Sequence, residues 1–299
     1  MLVWRLMNAT LDFPPPVAAG IVNVTDDSFF PGARSGTPEA AVADGMRLVE
    51  AGFDLLDVGA LAARSGPPVG PEEEAGRLVP AIERLAREAG VPLLADTFSP
   101  EVARLALGAG AAAINDIGGG ADPMLELVAE RGCGYVLMHI EGPPRVDRPT
   151  PTYKDPVAHL VRWFEERIER ATALGVDPEQ IAIDPGLDFD LGTDDDLELL
   201  RRLGELRSLG RPLFVSLSRK DFLGAVLAGS WERRLPATRR EAATLAATAL
   251  AVDAGADVLR LHDVTALDAM RTAAAIAAPV DAESEGRSGV PPLSRRLVP

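Results

Sequence analysis

Polar residues that could bind a small ligand end a series of short apolar runs in this 299-residue chain. Eight runs share the pattern, and their polar ends are Asn23, Asp57, Asp96, Asn115 with Asp116, His139, Asp184, Lys220, and His262 with Asp263. Together these carboxylates, amides, imidazoles and one ammonium could offer hydrogen-bond acceptors, donors and positive charge to one ligand. If the runs are parallel strands of a barrel, their ends surround a single site.

Three of these residues suit the edge of a flat heterocycle that is rich in nitrogen. Asp96, Asn115 and Asp184 end separate runs. A carboxylate can accept two parallel N–H bonds from an amino-pyrimidine edge. Each residue alone could equally cap the helix that follows it. Three of them at equivalent positions favour a shared binding site.

A lysine stands at the end of the seventh run, in the segment SLSRKDFLG. The chain has only two lysines, Lys154 and Lys220, among many arginines. A compact ammonium at position 220 could hold an anion or polarise a ring carbonyl. We expect Asp221 to be the N-cap of the next helix and Arg219 to be solvated.

The last run places Arg260 and His262 two residues apart, between leucines. Side chains at this spacing point to the same side of a strand, which in a barrel is the interior. An inward arginine needs a partner, because an unpaired buried charge is costly. A phosphate would serve, and the alternative is a buried pair with Asp57 or Asp263.

Other polar residues could also bind a ligand, but some of them are explained as well by a structural role. The amide of Asn23 could ligate a hard cation or a phosphate-bearing ligand, or it could only cap its own loop. Arg64, in the loop after the second run, could add a phosphate contact. We expect structural roles for His139 and for His159, which lies within a predicted helix.

Helical segments separate the apolar runs, and this order predicts the fold. Helices are expected over 72–89, 155–174, 239–254 and 265–277, and glycines such as Gly52, Gly90, Gly110, Gly134 and Gly255 are expected to follow helix ends. Near-continuous apolar strands are typical of parallel sheets covered on both faces. The sequence therefore predicts an α/β protein with a single (β/α)₈ TIM barrel over residues 1–278.

The rest of the chain and its composition narrow the class of protein. We expect a loose C-terminal tail over 279–299 and candidate lids over 24–37, 59–71 and 140–154. The net charge of −15 argues against a nucleic-acid partner, and no apolar run is long enough to span a membrane. A single cysteine excludes an internal disulfide, and we see no secretion signal, zinc cluster of Cys and His, or nucleophile elbow. A cytoplasmic protein is expected.

The motifs taken together resemble the dihydropteroate synthase family. They are GIVNVTDDSFFPG, DVG followed by Arg64-Ser65-Gly66, ADT, IND, DPG at 184–186, SRK at 218–220 and RLHDV at 260–264. They match in order and spacing from about residue 19 to residue 265. The resemblance implies a (β/α)₈ barrel that joins a pterin methylene diphosphate to p-aminobenzoate, giving dihydropteroate and pyrophosphate.

The resemblance also implies roles for individual residues. The pterin-binding residues would be Asp96, Asn115, Met138, Asp184, Lys220 and Arg260, and the diphosphate-binding residues would be Asn23, Arg64 and His262. Among these, Lys220, Arg260 and Asp96 are the expected catalytic residues. Asn23 would contact Mg²⁺, the implied cofactor, and the family suggests a homodimer whose interface could use 239–254 and 265–277.

Departures from the family pattern concentrate where p-aminobenzoate would bind. The usual Gly-Glu-Ser-Thr-Arg-Pro-Gly loop here reads Ala60-Leu61-Ala62-Ala63-Arg64-Ser65-Gly66. Asp221 stands where the family has serine, and Asp188, Asp190 and Leu191 replace small residues and a lysine, while Asp26 replaces a proline. Asp221 would repel the acceptor carboxylate unless a cation or helix N-terminus compensates.

Three hypotheses follow from this pattern. The first is an active dihydropteroate synthase, and the second is a non-catalytic or re-purposed pterin-binding paralogue. The third is a pterin-dependent methyltransferase domain, which the diphosphate-binding residues disfavour because methyl transfer involves no diphosphate.

Overall fold

Ten strands and nine helices make up the described part of the chain. The computed structural model describes residues 2–25, 36–63, 66 and 68–278. The strands are β1 (Leu2–Arg5), β2 (Thr10–Phe13), β3 (Val17–Asn23), β4 (Leu55–Gly59), β5 (Leu93–Asp96), β6 (Ala113–Asp116), β7 (Gly134–Met138), β8 (Ile181–Asp184), β9 (Phe214–Val215) and β10 (Val258–Leu261). The helices are α1 (Pro38–Ala51), α2 (Pro71–Glu88), α3 (Pro100–Gly108), α4 (Asp122–Arg131), α5 (Pro156–Ala173), α6 (Thr193–Arg201), α7 (Asp221–Ala228), α8 (Glu241–Asp253) and α9 (Val264–Ala277).

Strands β3 to β10 form one parallel barrel. Their order in the sheet is β8-β7-β6-β5-β4-β3-β10-β9, and every neighbouring pair in this order is hydrogen-bonded. A parallel bridge between Ile183 and Leu213 joins the two ends of the sheet and closes the barrel. The predicted (β/α)₈ fold is confirmed, and its strand ends face one mouth.

Helix boundaries follow the local sequence signals. Each of the four predicted helices is present within about two residues of the expected ends. The side chain of Asp155 accepts a hydrogen bond from the backbone N–H of Ala158 and caps α5. Helix α4 ends at Gly132, whose φ of 63° is left-handed. The expectation that Gly134 is such a stop is wrong, because Gly134 already begins β7 and has no positive φ.

The N-terminal end of the barrel is closed by a hairpin that the sequence reasoning did not predict. Strands β1 and β2 pair antiparallel, and Trp4 and Phe13 are buried. They pack with inward-facing barrel residues such as Val17 and Phe214 in one apolar cluster. Because this cluster fills the N-terminal end, the open end is the one that carries the polar strand tips.

A larger apolar cluster lies between the barrel and its surrounding helices, and it includes Leu56, Ile82 and Phe164. The predicted loose tail, 279–299, lies outside the described residues. No helix in the described ranges combines the length and the apolar character needed to cross a membrane.

Candidate active site

A cavity of about 430 Å³ opens at the C-terminal ends of the barrel strands. All the predicted site residues within the described ranges line this cavity: Asn23, Asp96, Asn115, Met138, Asp184, Lys220, Arg260 and His262. They come from seven of the eight barrel strands or the residues just after them. Arg64 lies outside the described residues. The fold thus gathers residues that are up to 239 positions apart in the sequence into one site.

Arg260 occupies the centre of a hydrogen-bonded network across the barrel. Its Nε donates to Asp57, and its Nη2 donates to Asp96 at 2.7 Å. Asp57 also accepts a bond of 3.0 Å from Nδ2 of Asn115. Of the two aspartates considered as buried partners of Arg260, Asp57 is the one that pairs with it, and Asp263 pairs with another arginine. Asp57 is fully buried.

The carboxylates of Asp57 and Asp96 share the guanidinium of Arg260 in a part of the barrel that is shielded from solvent. Burial raises the pKa of Asp96 to about 7, while Arg260 opposes the rise and Asp57 adds to it. Burial works against the charge of Arg260, but Asp57 and Asp96 outweigh it and raise the pKa of the guanidinium. Asp96 can therefore exchange a proton near neutral pH, and Arg260 remains a cation.

Asp184 is held as a hydrogen-bond acceptor at the end of β8. Its Oδ1 accepts from the backbone N–H of Gly186 at 2.8 Å, and its Oδ2 accepts from the hydroxyl of Ser216 at 2.7 Å. Burial raises the pKa of Asp184, although these bonds and Lys220 oppose the rise. Each oxygen has a second lone pair, so the carboxylate can still accept two parallel bonds from a ligand edge.

Lys220 lies just before helix α7, at the rim of the cavity. Its Nζ donates to the carbonyl of Leu187 at 2.9 Å and lies 4.5 Å from the ring centroid of Phe189. An ammonium with three donors in this position can contact an oxygen or ring nitrogen of a ligand that enters the cavity. Phe189 adds an aromatic face beside it.

The first turn of α7 does not use Asp221 as its N-cap, so that prediction is wrong. The N-cap residue is Lys220, which has extended backbone angles, and Asp221 is the first helical residue. The carboxylate of Asp188 accepts from the backbone N–H groups of Asp221 and Phe222. Asp188 has a left-handed φ of 67°. Consequently these two N–H groups already have an anion bound.

Two arginines neutralise Asp221. Its carboxylate lies 2.6 Å from Nη1 of Arg240 and 3.3 Å from Nε of Arg234. These two arginines compensate the negative charge of Asp221, which would otherwise repel the carboxylate of the acceptor. The expectation that Arg219 is solvated is wrong. Arg219 is buried and pairs with Asp263 at 2.7 Å.

His262 lies beside Arg260 on the inner face of β10, as the two-residue spacing predicted. Its Nδ1 is 2.9 Å from the hydroxyl of Ser218. Burial lowers the pKa of His262 well below its usual value, and the positive charges of Arg260 and Arg219 lower it further. The imidazole is therefore neutral at pH 7 and can donate one N–H bond to an anion.

Apolar side chains form one side of the cavity. Met138, Ile117 and Ile140 make a small buried cluster, against which Ala63 and Phe189 pack. Met138 is thus in place to contact a flat ring in the cavity. The two loops beside it are joined, since Nη1 of Arg145 donates to the carbonyl of Ala62 at 3.1 Å.

Sequence reasoning missed several residues of the site. Ser216 and Ser218 support Asp184 and His262, and Arg234 and Asp147 also line the cavity. The alternation of Ser216, Ser218 and Lys220 was a usable signal, because residues two apart in an extended segment face the same way. No comparable local signal marked Arg234, which lies fourteen residues beyond Lys220.

Comparison with known proteins identifies the family. The sequence pattern of the family described as "Pterin binding enzyme" matches residues 19–262. The dihydropteroate synthase of Mycobacterium leprae is 40% identical over 271 residues, which are 89% of this chain and 95% of the relative. The chain belongs to the dihydropteroate synthase family.

Other members resemble the chain to a similar degree. A dihydropteroate synthase from Xanthomonas albilineans, solved with 4-aminobenzoic acid, has a TM-score of 0.79 and 41% identity, covering 93% of this chain and 100% of its own. A protein of Mycobacterium leprae described as "Inactive dihydropteroate synthase 2" is 43% identical over 84% of this chain and 89% of its own length. Dihydropteroate synthases and an inactive homologue are therefore about equally similar to this chain.

Proposed function

We propose that this protein is a dihydropteroate synthase. It would join 6-hydroxymethyl-7,8-dihydropterin diphosphate to p-aminobenzoate and release 7,8-dihydropteroate and pyrophosphate. The observation that carries the proposal is the convergence of eight predicted residues on one cavity at the barrel mouth. The named relatives, whose alignments cover most of this chain, support it.

The pterin ring would bind against the strand ends. Asp184 is oriented to accept N–H bonds from the amino-pyrimidine edge. Asn115 turns its Nδ2 toward Asp57, so its amide oxygen is directed away from that bond and is available as an acceptor. Lys220 would contact the ring carbonyl, and Met138 would pack against the face of the ring.

The diphosphate would lie near Asn23 and His262, with Arg64 as a further contact. His262 is neutral and hydrogen-bonded to Ser218, so it would donate an N–H bond to a phosphate oxygen. Mg²⁺ fits the amide oxygen of Asn23, because this hard cation prefers oxygen ligands and takes few of them from the protein. When bound, the ion would neutralise charge on the leaving diphosphate.

The reaction breaks the bond between the pterin methylene carbon and the diphosphate oxygen. The electron pair of that bond leaves with the diphosphate. The amine nitrogen of p-aminobenzoate then forms the new bond to that carbon and loses a proton. Positive charge develops at the carbon as the diphosphate leaves. The carboxylates of Asp96 and Asp184, which line the cavity, would stabilise that charge when ionised.

The acceptor would bind at the rim beside α7. Phe189 and the stem of Lys220 offer an apolar surface for its ring, and Arg234 lines the same cavity. The N–H groups that begin α7 are bonded to Asp188, so Arg234 is the better-placed group for the acceptor carboxylate. That carboxylate would compete with Asp221 for the guanidinium.

A pterin-binding protein that does not condense the two substrates is the second candidate. It is favoured by the alanines at positions 60, 62 and 63, by Asp188 at the start of α7, and by the inactive relative of 43% identity. The methyltransferase alternative gains no support from the cavity, whose cationic residues suit a diphosphate.

Turnover of the pterin diphosphate with p-aminobenzoate and Mg²⁺ separates the candidates. Formation of dihydropteroate with one equivalent of pyrophosphate is expected. Pyrophosphate release without dihydropteroate would indicate a different acceptor. Tight pterin binding without any release of pyrophosphate would establish the non-catalytic candidate instead.

We also propose that the protein is a homodimer that uses α8 and α9. Leu250 on α8 and Ile276 on α9 are 63% and 80% exposed, which is unusual for large apolar side chains. Light scattering should give the mass of two chains, and the double substitution Leu250→Glu with Ile276→Glu should give the mass of one. A monomeric wild-type protein would contradict the proposal.

A further inference from the structure

Two of the three histidines in the chain meet at one glutamate outside the cavity. His139 follows β7, His159 lies on α5, and Glu141 lies in the loop between them. The Nε2 atoms of His139 and His159 are 3.2 Å and 2.5 Å from the same oxygen, Oε1 of Glu141. The three potential ligand atoms all lie within 4.8 Å of one another.

This set of donors matches divalent transition metals. Two imidazoles and one carboxylate suit Zn²⁺ and its neighbours, whereas Mg²⁺ and Ca²⁺ prefer oxygen ligands alone. With metal–ligand bonds of about 2.0–2.2 Å, ligand atoms of a tetrahedral site lie roughly 3.3 Å apart. The distance from His139 to Glu141 already has this value. The Nε2 of His159, at 2.5 Å, is closer to Glu141 than this spacing, and its side chain is 30% exposed, so the ring has room to move.

The rings are held in place by aromatic neighbours. The ring of His139 is fully buried, and its centroid lies 5.0 Å from that of Trp163 in an edge-to-face arrangement. The ring of His159 lies 4.7 Å from that of Tyr153. Because little side-chain freedom remains to be lost, ion binding would be less costly in entropy.

The main chain also holds Glu141 in position. The backbone N–H of Glu141 donates to Asp190 at 2.9 Å, and Asp190 pairs with Arg148 at 2.6 Å. Glu141 is thus anchored at its backbone while its side chain lies between the two imidazoles.

We propose that His139, Glu141 and His159 bind one divalent transition-metal ion of the Zn²⁺ class. The hydroxyl of Tyr153, 3.4 Å from Oε1 of Glu141, or a water molecule would complete the coordination. The ion would connect the end of β7 to α5 and fix the loop between them. That loop carries Asp147, which lines the cavity, so the metal orders one rim of the active site and takes no part in the reaction.

Zn²⁺ titration of the full-length, chelator-treated protein by calorimetry tests the proposal. We expect one site, and we expect Glu141→Gln and His159→Gln each to weaken Zn²⁺ binding by more than about 100-fold, above the loss typical for residues that only support a ligand. Glu166→Gln, an exposed change on the same helix, is the matched control and should leave binding unchanged. The proposal would be overturned if the wild type did not bind Zn²⁺, or if the two ligand variants bound it as tightly as the wild type.

The small number of histidines provides a second readout that does not depend on activity. The ring signals of His139 and His159 in nitrogen-correlated NMR should shift with one equivalent of Zn²⁺, and those of His262 should not. His159→Gln assigns one of the shifting signals. A shift of His262 alone would place the ion in the cavity and would refute the cluster as the site. Unchanged circular dichroism of each variant confirms that it is folded.

Discussion

Arg260 donates a hydrogen bond to Asp96 across the barrel mouth, with 2.7 Å between Nη2 and Oδ2. Both residues were predicted to contact the ligand directly, but each is also the other's partner. Arg260 therefore orients Asp96 before any ligand binds, and it also pairs with the fully buried Asp57. This arrangement makes stability and binding depend on the same guanidinium.

Replacing Arg260 should damage both properties. Arg260→Met leaves Asp57 and Asp96 without their cation, and removal of one partner of a buried ion pair costs about 3–5 kcal/mol. Urea unfolding should show a loss of this size together with loss of pterin binding. Arg104→Gln breaks an exposed pair with Glu130 and should leave the unfolding curve unchanged. A stable Arg260→Met protein would mean that the network carries no net stabilisation.

Lys220→Ala should separate binding from stability. Lys220 lines the cavity and donates a hydrogen bond to the backbone carbonyl of Leu187, and it contributes little to the apolar core. We expect loss of pterin binding by calorimetry with a change in unfolding free energy of less than about 1 kcal/mol. If the variant unfolds or keeps full activity, the assignment of Lys220 to the pterin site is wrong.

The neutral state of His262 predicts a dependence of stability on pH. Its pKa in the folded protein lies well below the unfolded value of 6.5, so the unfolded state binds the proton more tightly. Its contribution to stability is complete above about pH 6.5 and is lost as the pH falls toward the folded pKa, at up to about 1.4 kcal/mol per pH unit.

The variant His262→Gln should lack the part of the acid-induced loss of stability that His262 causes. The difference in unfolding free energy between variant and wild type, measured from pH 7.5 to pH 5, isolates His262 because the other titrating groups are common to both proteins. A difference that does not change with pH would show that the pKa of His262 is not lowered in the folded protein.

Arg234 should affect the second substrate alone. A charged hydrogen bond contributes about 1.5–3 kcal/mol, so Arg234→Gln should raise KM for p-aminobenzoate by roughly 10-fold or more while KM for the pterin diphosphate stays constant. Arg233→Gln changes the neighbouring exposed arginine and is the control. Equal effects of the two substitutions in steady-state kinetics would reject Arg234 as the acceptor's partner.

The hairpin at the closed end should matter for stability and not for chemistry. Trp4 is fully buried, contacts Phe214 edge to face, and donates from Nε1 to the carbonyl of Gln180. Trp4→Ala should cost about 3–5 kcal/mol by thermal or urea unfolding. Turnover well below the melting temperature should be retained, because Trp4 is at the end of the barrel opposite the cavity. Leu105→Ala, at an exposed position on α3, should change neither property.

Local patterns were sufficient to predict the barrel strands and the polar strand ends that line the cavity. Continuous apolar runs, helix stops and period-two spacing depend only on neighbours in the sequence, and a barrel brings all strand ends to one mouth. Asp184 and Lys220 could therefore be assigned to one site although they are 36 positions apart in the sequence. The β1–β2 hairpin escaped prediction because no helix with a glycine stop precedes its strands, and the alternating TLDF of β2 is not a continuous apolar run.

Pairings between distant residues were decided by the tertiary structure alone. From the sequence, either Asp57 or Asp263 could be the partner of Arg260. In the structure Arg260 pairs with Asp57 and Asp96, whereas Asp263 pairs with Arg219. The sequence by itself determined which residue types stand at the strand ends, because those depend on local order. Which charges neutralise each other depends on three-dimensional distance and burial, and only the folded barrel sets these.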